Sequence, residues 1–291
     1  MRRHHANFCK DHFINHVQRQ VERAIHDFAM LEPGDRILLG VSGGKDSLGL
    51  WDILTELGYQ ADGVYLHLGI SSYSSESLEL SRAFAADRGL SLEVVDLPNS
   101  FGFSVPRAAA ASHRPPCSAC GLSKRYILNR LADRGAYDVL AMGHNLDDEA
   151  ATLFSNILQW NTDYLARQRP VLPATGTGLA RKVKPLIRVS ERETAAYAVL
   201  RGIDYEVDEC PMAAGNTLNR YKEWLNRLEE RSPGIKASFL FGFLERGAAH
   251  FPPAGEVDLK LCTSCGQPTT GEVCAFCKLQ RLTITSTVAA S

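Results

Sequence analysis

The stretch RILLGVSGGKDS, residues 36–47, joins an apolar run to two adjacent glycines and a lysine. Apolar residues continue at helical spacing from Leu48 to Leu54, so the pattern predicts a strand, a tight glycine loop and a helix. Adjacent glycines let backbone N–H groups turn toward a ligand without interference from a Cβ atom. With the positive end of the helix and the Lys45 ammonium, these donors predict an oxyanion site.

The loop motif SGGKDS differs from other phosphate-binding loops. It lacks both the GxxxxGK[ST] spacing of the Walker loop and the GxGxxG of dinucleotide-binding folds. It resembles the PP-loop of ATP pyrophosphatases, which holds the pyrophosphate part of ATP. The alternative is an ordinary glycine turn, but six residues that match in order and in context favour the PP-loop. The resemblance implies that ATP is held by Ser42, Gly43, Gly44, Lys45, Asp46 and Ser47.

Length and composition set the class of protein. The 291 residues suffice for one substantial α/β domain with small appendages. No apolar run approaches membrane-spanning length, and the basic N-terminus lacks the apolar core of a secretory signal. A cytoplasmic protein with no membrane partner is therefore expected. The net charge of −1 gives no global case for nucleic-acid binding, so any such surface must be local.

Strands and helices alternate along the chain. Further strands are predicted at Ala61–Leu68, Leu92–Leu97 and Asp138–Gly143, and helices at Ser74–Arg88, Leu122–Arg134, Ala150–Gln159 and Glu191–Arg201. This alternation predicts a doubly wound parallel α/β sheet, in which ligands bind beyond the carboxyl ends of the strands. His67 and Gly143 lie at two such ends and are predicted to border the nucleotide. The alternative for His67 is a packing role at the strand end.

The remaining segments complete the predicted organisation. They are an amphipathic helix over residues 11–30, loops at Phe101–Pro116 and Asn161–Gly178, a short strand at Asp204–Val207, two helices within 215–246 and a Pro-rich linker at Phe251–Gly255. The most basic window is Arg181–Arg188, for which the alternative is a solvated edge strand. The predicted units are an N-terminal segment and helix (1–30), a catalytic domain (31–250), a zinc-binding module (256–280) and a tail (281–291).

Six of the eight cysteines form three C-x-x-C pairs. In a reducing cytosol this spacing indicates metal binding or catalysis rather than disulfides. The last two pairs suit a closed tetrahedral zinc site made of Cys262, Cys265, Cys274 and Cys277. The segment is too short for a core of its own, so metal would supply its stability. The alternative, two redox pairs, leaves nothing to organise the segment.

The N-terminus carries a second candidate zinc site. Cys9 and His12 form a C-x-x-H pair, which is half of such a site. His4 or His5 would complete it. The alternative is a helix start that happens to contain a cysteine and a histidine.

Five motifs together resemble the TtuA-type tRNA 2-thiouridine synthetases, from about residue 9 to residue 278. They are SGGKDS (42–47), CSACGLSKRY (117–126), GHNLDDEA (143–150), DECP (208–211) and the tail cysteines with PTTGEVCAFC (268–277). The wider group includes the wobble-uridine thiolases and the 2-thiocytidine synthetase TtcA. The paired zinc modules argue against TtcA. The target nucleotide stays open between 5-methyluridine 54, which the likeness favours, and the wobble uridine.

The resemblance implies a fold, cofactors and partners. The fold is the α/β, doubly wound parallel sheet of PP-loop ATP pyrophosphatases (adenine nucleotide α-hydrolase-like), with small zinc-binding terminal modules. A 4Fe-4S cluster is implied on Cys117, Cys120 and Cys210, with its fourth iron free of protein ligands. The implied sulfur donor is a ubiquitin-like carrier with a C-terminal thiocarboxylate, and family members are commonly homodimers. The family's N-terminal zinc site usually has C-x-x-C before C-x-x-H, so its completeness here stays open.

The expected reaction is ATP-dependent adenylation of the C2 oxygen of a tRNA uridine, followed by replacement of AMP by sulfur. Lys45, Lys124 and Asp148 are the implied catalytic side chains, and Asp148 would position Mg²⁺ or the uridine. The phosphate contacts to tRNA are expected from the basic helix after Cys120, the window Arg181–Arg188 and the zinc modules.

Three alternatives remain. The first is a variant of the same activity, in which the cysteines carry a persulfide and no iron is bound. The chain would instead be a non-catalytic ATP-binding zinc adaptor for a sulfur carrier. A nitrogen-transferring PP-loop ligase is disfavoured, because such chemistry needs no soft metal ligands.

Overall fold

The computed structural model describes residues 2–4, 6–175, 179–252 and 259–288. The regular elements within these ranges are α1 (Lys10–Asp27), β1 (Ile37–Val41), α2 (Lys45–Glu56), β2 (Ala61–His67), α3 (Ser71–Asp87), β3 (Leu92–Asp96), α4 (Leu97–Phe101), α5 (Val105–Ser112), α6 (Pro116–Arg134), β4 (Val139–Ala141), α7 (Leu146–Leu158), α8 (Thr162–Ala166), β5 (Val171–Leu172), β6 (Arg181–Val183), α9 (Glu191–Arg201), α10 (Thr217–Arg231), α11 (Ile235–Gly242), β7 (Lys260–Leu261), β8 (Pro268–Thr269) and α12 (Ala275–Val288).

The predicted parallel sheet is confirmed. Among the described residues it has six strands in the order β3-β2-β1-β4-β6-β5, and every neighbouring pair is parallel except β5 with β6. Strand β1 lies between β2 and β4, and Ile37, Leu38, Leu39 and Val41 are buried, as expected for a strand covered on both faces. The chain continues to β2 on one side of β1 and to β4 on the other. The carboxyl ends of β1 and β4 therefore form a switch point, where doubly wound sheets bind ligands.

Helices cover both faces of the sheet. On one face α1, α2 and α9 bury Val17, Trp51 and Tyr197 in one apolar cluster. On the other face α5, α6 and α12 bury Ala108, Ile127 and Leu279 in a second cluster. In the part of the chain that the structure describes, no helix is both long enough and apolar enough to cross a membrane.

Two predicted loops contain regular elements, and one predicted strand is absent. Phe101–Pro116 contains α5, which begins with proline near its first position, where a missing N–H breaks no helical bond. Asn161–Gly178 contains α8 and β5, while residues 176–178 lie outside the described ranges. Asp204–Val207 is not a strand. The Glu206 N–H instead donates to the Gly43 carbonyl at 2.8 Å, which fixes this segment against the glycine loop.

Helix α6 begins at Pro116 rather than at Leu122. Cys117 and Cys120 therefore lie at the start of a helix and not in the preceding loop. The basic window Arg181–Arg188 is not a solvated edge strand, which was the alternative for it. Its strand β6 lies between β4 and β5, and a 3-10 turn follows at Pro185–Arg188.

The C-terminal cysteine segment packs onto the main domain. Phe276 stacks on Tyr126 of α6 with ring centroids 3.8 Å apart, and Cys262, Cys274 and Cys277 are buried. Residues 281–288, predicted as part of a tail, continue helix α12. The predicted linker at Phe251–Gly255 falls partly on residues outside the described ranges.

The contact between β2 and α2 leaves no room for a side chain at Gly63. A Cβ atom there would lie 2.3 Å from Cη2 of the buried Trp51. Gly63→Ala is expected to lower the free energy of unfolding by about 1–3 kcal/mol, because a filled core must shift to admit a methyl group. Urea denaturation measures the loss. The matched control is Gly49→Ala in α2, where the new Cβ atom would meet nothing nearer than Tyr197 at 3.9 Å. Alanine in place of glycine within a helix stabilises the helix by up to about 1 kcal/mol. Equal losses in both variants would contradict the packing argument.

Candidate active site

A cavity of about 290 Å³ lies at the carboxyl ends of β1, β2 and β4. It brings together residues that the sequence places far apart. Four predicted ATP-binding residues line it with two predicted cluster cysteines and a predicted catalytic lysine, namely Ser42, Asp46, Ser47, Gly143, Cys120, Cys210 and Lys124. The cavity therefore joins the nucleotide loop to the cysteine site.

The glycine loop is built to present backbone donors. Gly43 has φ +76°, and a Cβ atom there would lie 2.5 Å from the Ser77 carbonyl oxygen, so only glycine fits. Helix α2 begins at Lys45 with Gly44 as its N-cap, and no side chain of the described residues caps it. Ser47 Oγ accepts from the Ser42 N–H at 3.1 Å and donates to the Gly44 carbonyl at 3.0 Å. The first N–H groups of α2 thus remain available to an anion.

Gly143 and His67, both predicted to border ATP, lie in different surroundings. A Cβ atom at Gly143 would lie 3.1 Å from the Ser47 backbone nitrogen, so the end of β4 approaches the start of α2 closely. His67 ends β2, with Nδ1 3.6 Å from Asp96 Oδ2. It is not among the described residues that line this cavity.

Three cysteines converge on the edge of this cavity. Cys120 and Cys210 line it, while Cys117 is exposed nearby, with Sγ 3.8 Å from the Met212 carbonyl oxygen. Burial raises the pKa of the Cys117 thiol. The neighbouring Cys120 and Cys210 raise this pKa further, whereas Lys124 lowers it. The four groups therefore share one electrostatic environment.

The spacing of these sulfurs bears on what they hold. In the part of the chain described, they do not form a group whose ligand atoms all lie within 4.8 Å of one another. A single tetrahedral ion needs a tighter set. Three thiols that interact electrostatically without lying within 4.8 Å of one another fit a larger inorganic group, such as an iron–sulfur cluster.

A chain of alternating charges crosses the site. Lys45 Nζ lies 3.1 Å from an Asp46 oxygen and 3.0 Å from a Glu191 oxygen. The other Glu191 oxygen lies 3.2 Å from Lys222 Nζ, which also lies 2.6 Å from Asp148. The lysine of the loop is thus connected to Asp148 through Glu191 and Lys222.

The charges in this chain maintain one another. Burial alone would raise the pKa of Asp148, but Lys222 and His144 outweigh it and the pKa is lowered. Burial would lower the pKa of Lys45, yet Asp46 and Glu191 raise it above its ordinary value. The site therefore presents ammonium groups to an anion and ionised carboxylates to a metal cation, side by side.

The turn before α7 has a structural role as well. The Asn145 side chain accepts from the N–H groups of Asp147 and Asp148, and the Asp148 carboxylate accepts from the Asn145 N–H at 3.0 Å. This capping box accounts for one carboxylate oxygen of Asp148. Asn145 Nδ2 also donates to Asp46 Oδ1 at 3.0 Å, which ties this turn to the glycine loop. Asp147 is turned inward and pairs with the buried Lys236.

Two members of the site were not found by sequence reasoning. Glu191 is the first residue of α9, whose capping box is formed by Ser190 and Glu193, so its sequence signal is that of an ordinary helix start. Lys222 lies on α10 among other charged residues and carries no distinguishing signal. Both enter the site only through tertiary packing.

The basic window is largely neutralised. Arg181 pairs with Glu32 at 2.7 Å and with Asp35. Lys184 lies 2.6 Å from Glu149 and Arg188 lies 2.6 Å from Asp27. A cation already paired with a carboxylate offers little charge to a nucleic acid.

The tail cysteines fit a single zinc ion. The four Sγ atoms of Cys262, Cys265, Cys274 and Cys277 lie within 4.8 Å of one another, and those of Cys265 and Cys274 are 3.8 Å apart. Zinc–sulfur bonds of about 2.3 Å at tetrahedral angles place the sulfurs about 3.8 Å apart. Burial disfavours the Cys262 thiolate, but the backbone N–H groups of Cys274, Ser264 and Cys265 outweigh burial and lower the pKa of Cys262 to about 6.

The N-terminal candidates divide into two groups. Cys9 Sγ lies 3.0 Å from His12 Nδ1 on the surface. His4 Nε2 instead lies 2.6 Å from Glu193 Oε1, in a group with His16. His5 lies outside the described residues. Within the described ranges, no third metal-binding side chain joins Cys9 and His12.

The chain is similar to known proteins over most of its length. The PP-loop domain family matches residues 14–227. The tRNA-5-methyluridine(54) 2-sulfurtransferase of Thermus thermophilus is 52% identical over 279 residues, which cover 96% of this chain and 87% of that protein. The one of Pyrococcus horikoshii is 43% identical over 270 residues, 93% of this chain and 86% of that protein. The structure of the U34-tRNA thiolase NcsA from Methanococcus maripaludis with its 4Fe-4S cluster matches with TM-score 0.80 at 27% identity, covering 94% of this chain and 89% of that chain.

Lys222→Met tests the alternating charges. The variant leaves Asp148 and Glu191 without a shared cation, so the free energy of unfolding is expected to fall by about 1–3 kcal/mol. Lys222→Arg keeps the charge and is expected to keep most of the stability. Urea denaturation without nucleotide measures both. Arg220→Gln, an exposed cation on the same helix, is the control and should change stability by no more than about 0.5 kcal/mol. A Lys222→Met protein as stable as the control would show that the network contributes nothing.

Proposed function

The chain belongs to the PP-loop family and, within it, to the tRNA-5-methyluridine(54) 2-sulfurtransferases, and on this basis we propose that it transfers sulfur to C2 of 5-methyluridine 54 in tRNA. The observation that supports the proposal best is the shared cavity, where Ser42 and Ser47 of the ATP loop face Cys120, Cys210 and Lys124. Replacing an activated oxygen by sulfur requires the activating nucleotide and the sulfur site to be neighbours.

The first half of the reaction is adenylation. ATP would lie with its phosphates on the N–H groups of the glycine loop, with Lys45 moving from Glu191 to a phosphate oxygen. The C2 oxygen of the uracil attacks the α-phosphorus, and pyrophosphate leaves with the electrons of the bond that breaks. Lys45 and Lys124 would offset the charge that develops on the phosphate oxygens.

The second half replaces oxygen by sulfur. A hydrosulfide attacks C2, the bond from C2 to its oxygen breaks, and that oxygen leaves as part of AMP. We assign Cys117, Cys120 and Cys210 as ligands of a 4Fe-4S cluster, which would supply the site where inorganic sulfur is activated. Lys124 and the positive end of α6 would favour the anions that gather here.

Asp148 is assigned to positioning. Its carboxylate would position Mg²⁺ or the uridine. Asp46 and Glu191 add oxygen ligands of the kind that Mg²⁺ prefers. Lys222, which lies 2.6 Å from Asp148, would then have to move toward Glu191.

Further proposals concern the metal modules and the partners. We assign zinc to the four tail cysteines, whose spacing suits it, and leave Cys9, His12 and His4 as candidates for a second ion. The sulfur donor would be a ubiquitin-like carrier with a C-terminal thiocarboxylate. The enzyme would act as a homodimer in the cytoplasm.

A second candidate substrate is the wobble uridine. The similarity to the U34-tRNA thiolase NcsA, with TM-score 0.80, favours it. Mapping the thiolated nucleotide in tRNA distinguishes position 54 from position 34. A chain that binds ATP but forms no AMP when tRNA is added would instead be an adaptor.

Metal analysis after anaerobic purification tests the cofactor. We expect about four irons and four acid-labile sulfides per chain, with a broad visible absorbance shoulder, and zinc in addition. The persulfide alternative predicts zinc without iron even after reconstitution. That outcome would leave Cys117, Cys120 and Cys210 as a sulfur relay.

Cys210→Ser tests the third ligand. Thiolation of tRNA is expected to be abolished, because a serine hydroxyl does not replace a soft thiolate on iron. ATP affinity is expected to be unchanged, since the phosphates would bind the N–H groups of the glycine loop and not Cys210. Ser118→Ala, a neighbouring exposed position on α6, is the control and should remain active. Full thiolation by the anaerobically reconstituted Cys210→Ser protein would contradict the assignment.

A further inference from the structure

A protein that holds tRNA needs unpaired positive charge on its surface. The most basic window supplies little of it, because three of its four cations, Arg181, Lys184 and Arg188, are paired with carboxylates, and the fourth, Lys182, is half-buried. The net charge of the chain is −1, so the overall field does not attract RNA either. The charge that an RNA meets must therefore be local, on cations that have no acidic partner.

One cavity meets this condition. It has a volume of about 710 Å³ and lies where α6 meets the cysteine module and α12. Arg130, Arg134 and Arg281 line it together with Cys265 and Cys277 of the proposed zinc site, and none of its described lining residues is an aspartate or a glutamate. None of the three arginines takes part in an ion pair within the described ranges. We call this cavity the arginine groove.

Neutral partners hold two of these guanidinium groups. Arg130 Nη1 donates to the Tyr126 hydroxyl at 3.1 Å, and its guanidinium lies 5.9 Å from the centre of the Phe101 ring. Arg281 donates to the Ser264 hydroxyl. These contacts orient the groups without neutralising them. Each guanidinium has five N–H donors, so donors remain for a ligand.

The arginine groove lies at the opposite end of α6 from the cysteine site. Arg130 and Arg134 are one helical turn apart and follow Cys120 on the same helix. At 1.5 Å per residue, they lie about 15 and 21 Å from Cys120 along the helix axis. A large substrate can therefore touch the arginine groove while one of its nucleotides is in the active site.

We propose that Arg130, Arg134 and Arg281 bind the phosphodiester backbone of the RNA substrate. This inference rests on the proposed function and names the surface that holds its substrate. Guanidinium groups match phosphate oxygens in a two-point geometry and are more weakly hydrated than ammonium groups. Backbone contacts fix the position of the RNA without reading its sequence, and three guanidinium groups on one surface suit such contacts.

The test removes the three charges together, as Arg130→Gln, Arg134→Gln and Arg281→Gln in the full chain with its metals. Binding of unmodified tRNA is measured across a range of salt concentrations. The slope of log affinity against log salt is expected to fall by about 2–3. The KM for tRNA should rise, while kcat and the affinity for ATP remain as in the wild type.

A matched control removes three arginines elsewhere. Arg220→Gln, Arg227→Gln and Arg231→Gln lie on α10, where all three side chains are exposed. This triple variant changes the net charge by the same amount, and the slope should fall by less than about 1. If the first triple variant folds poorly, the single variant Arg134→Gln, at an exposed position, replaces it in the binding experiment. It should lower the slope of log affinity against log salt by about 1.

Three results would overturn the proposal that the arginine groove binds RNA. The slope would stay at the wild-type value in the groove variants, or it would fall equally in both triple variants. A rise in the KM for a sulfur-carrier protein with unchanged tRNA binding would also overturn it, because the occupant would then be that protein. These failures leave the proposed function intact as long as the wild type thiolates tRNA. A wild type that neither binds nor thiolates tRNA would refute the proposed function itself.

Discussion

The ammonium of Lys45 must be balanced while the phosphate site is empty and yet be free to meet phosphate. Asp46 and Glu191 provide the balance at 3.1 and 3.0 Å. Because Glu191 is shared with Lys222, an anion that draws Lys45 away leaves more of the Glu191 charge to Lys222. The attraction of Lys222 for Asp148 then weakens. Occupation of the glycine loop would thereby be communicated to Asp148 through a carboxylate and an ammonium group, without movement of the sheet.

The surrounding fold holds this relay in place. Gly43 is pressed against the Ser77 carbonyl from α3, and its own carbonyl accepts from the Glu206 N–H near Cys210. Asn145, at the end of β4, reaches Asp46. Three segments that are distant in sequence therefore meet at one short loop. Each of these contacts depends on the left-handed backbone conformation of the loop at Gly43. The loop organises the site as well as binding the nucleotide.

What the sequence reveals depends on the range of the interaction. The glycine loop and the tail cysteines are contiguous patterns, so residues 42–47 and Cys262–Cys277 could be recognised directly. The contact of Lys45 with Glu191 spans 146 positions and leaves no local trace. Pro115 and Pro116 resembled a loop, although proline at the first turn starts α6. Asp204–Val207 has the composition of a strand, but its pairing with Gly43 is a single backbone bond.

The stacking of Phe276 on Tyr126, at 3.8 Å, makes the tail part of the same folding unit as α6. Phe276 lies between Cys274 and Cys277, so an ion bound by those cysteines would also hold this ring in place. With zinc as that ion, as proposed above, a cell short of zinc would lose support for the helix that carries Cys117 and Cys120, although no ligand of the active site would be missing. Nutrient metal supply would set how much of the protein is competent for sulfur chemistry, from a place well outside the reacting atoms.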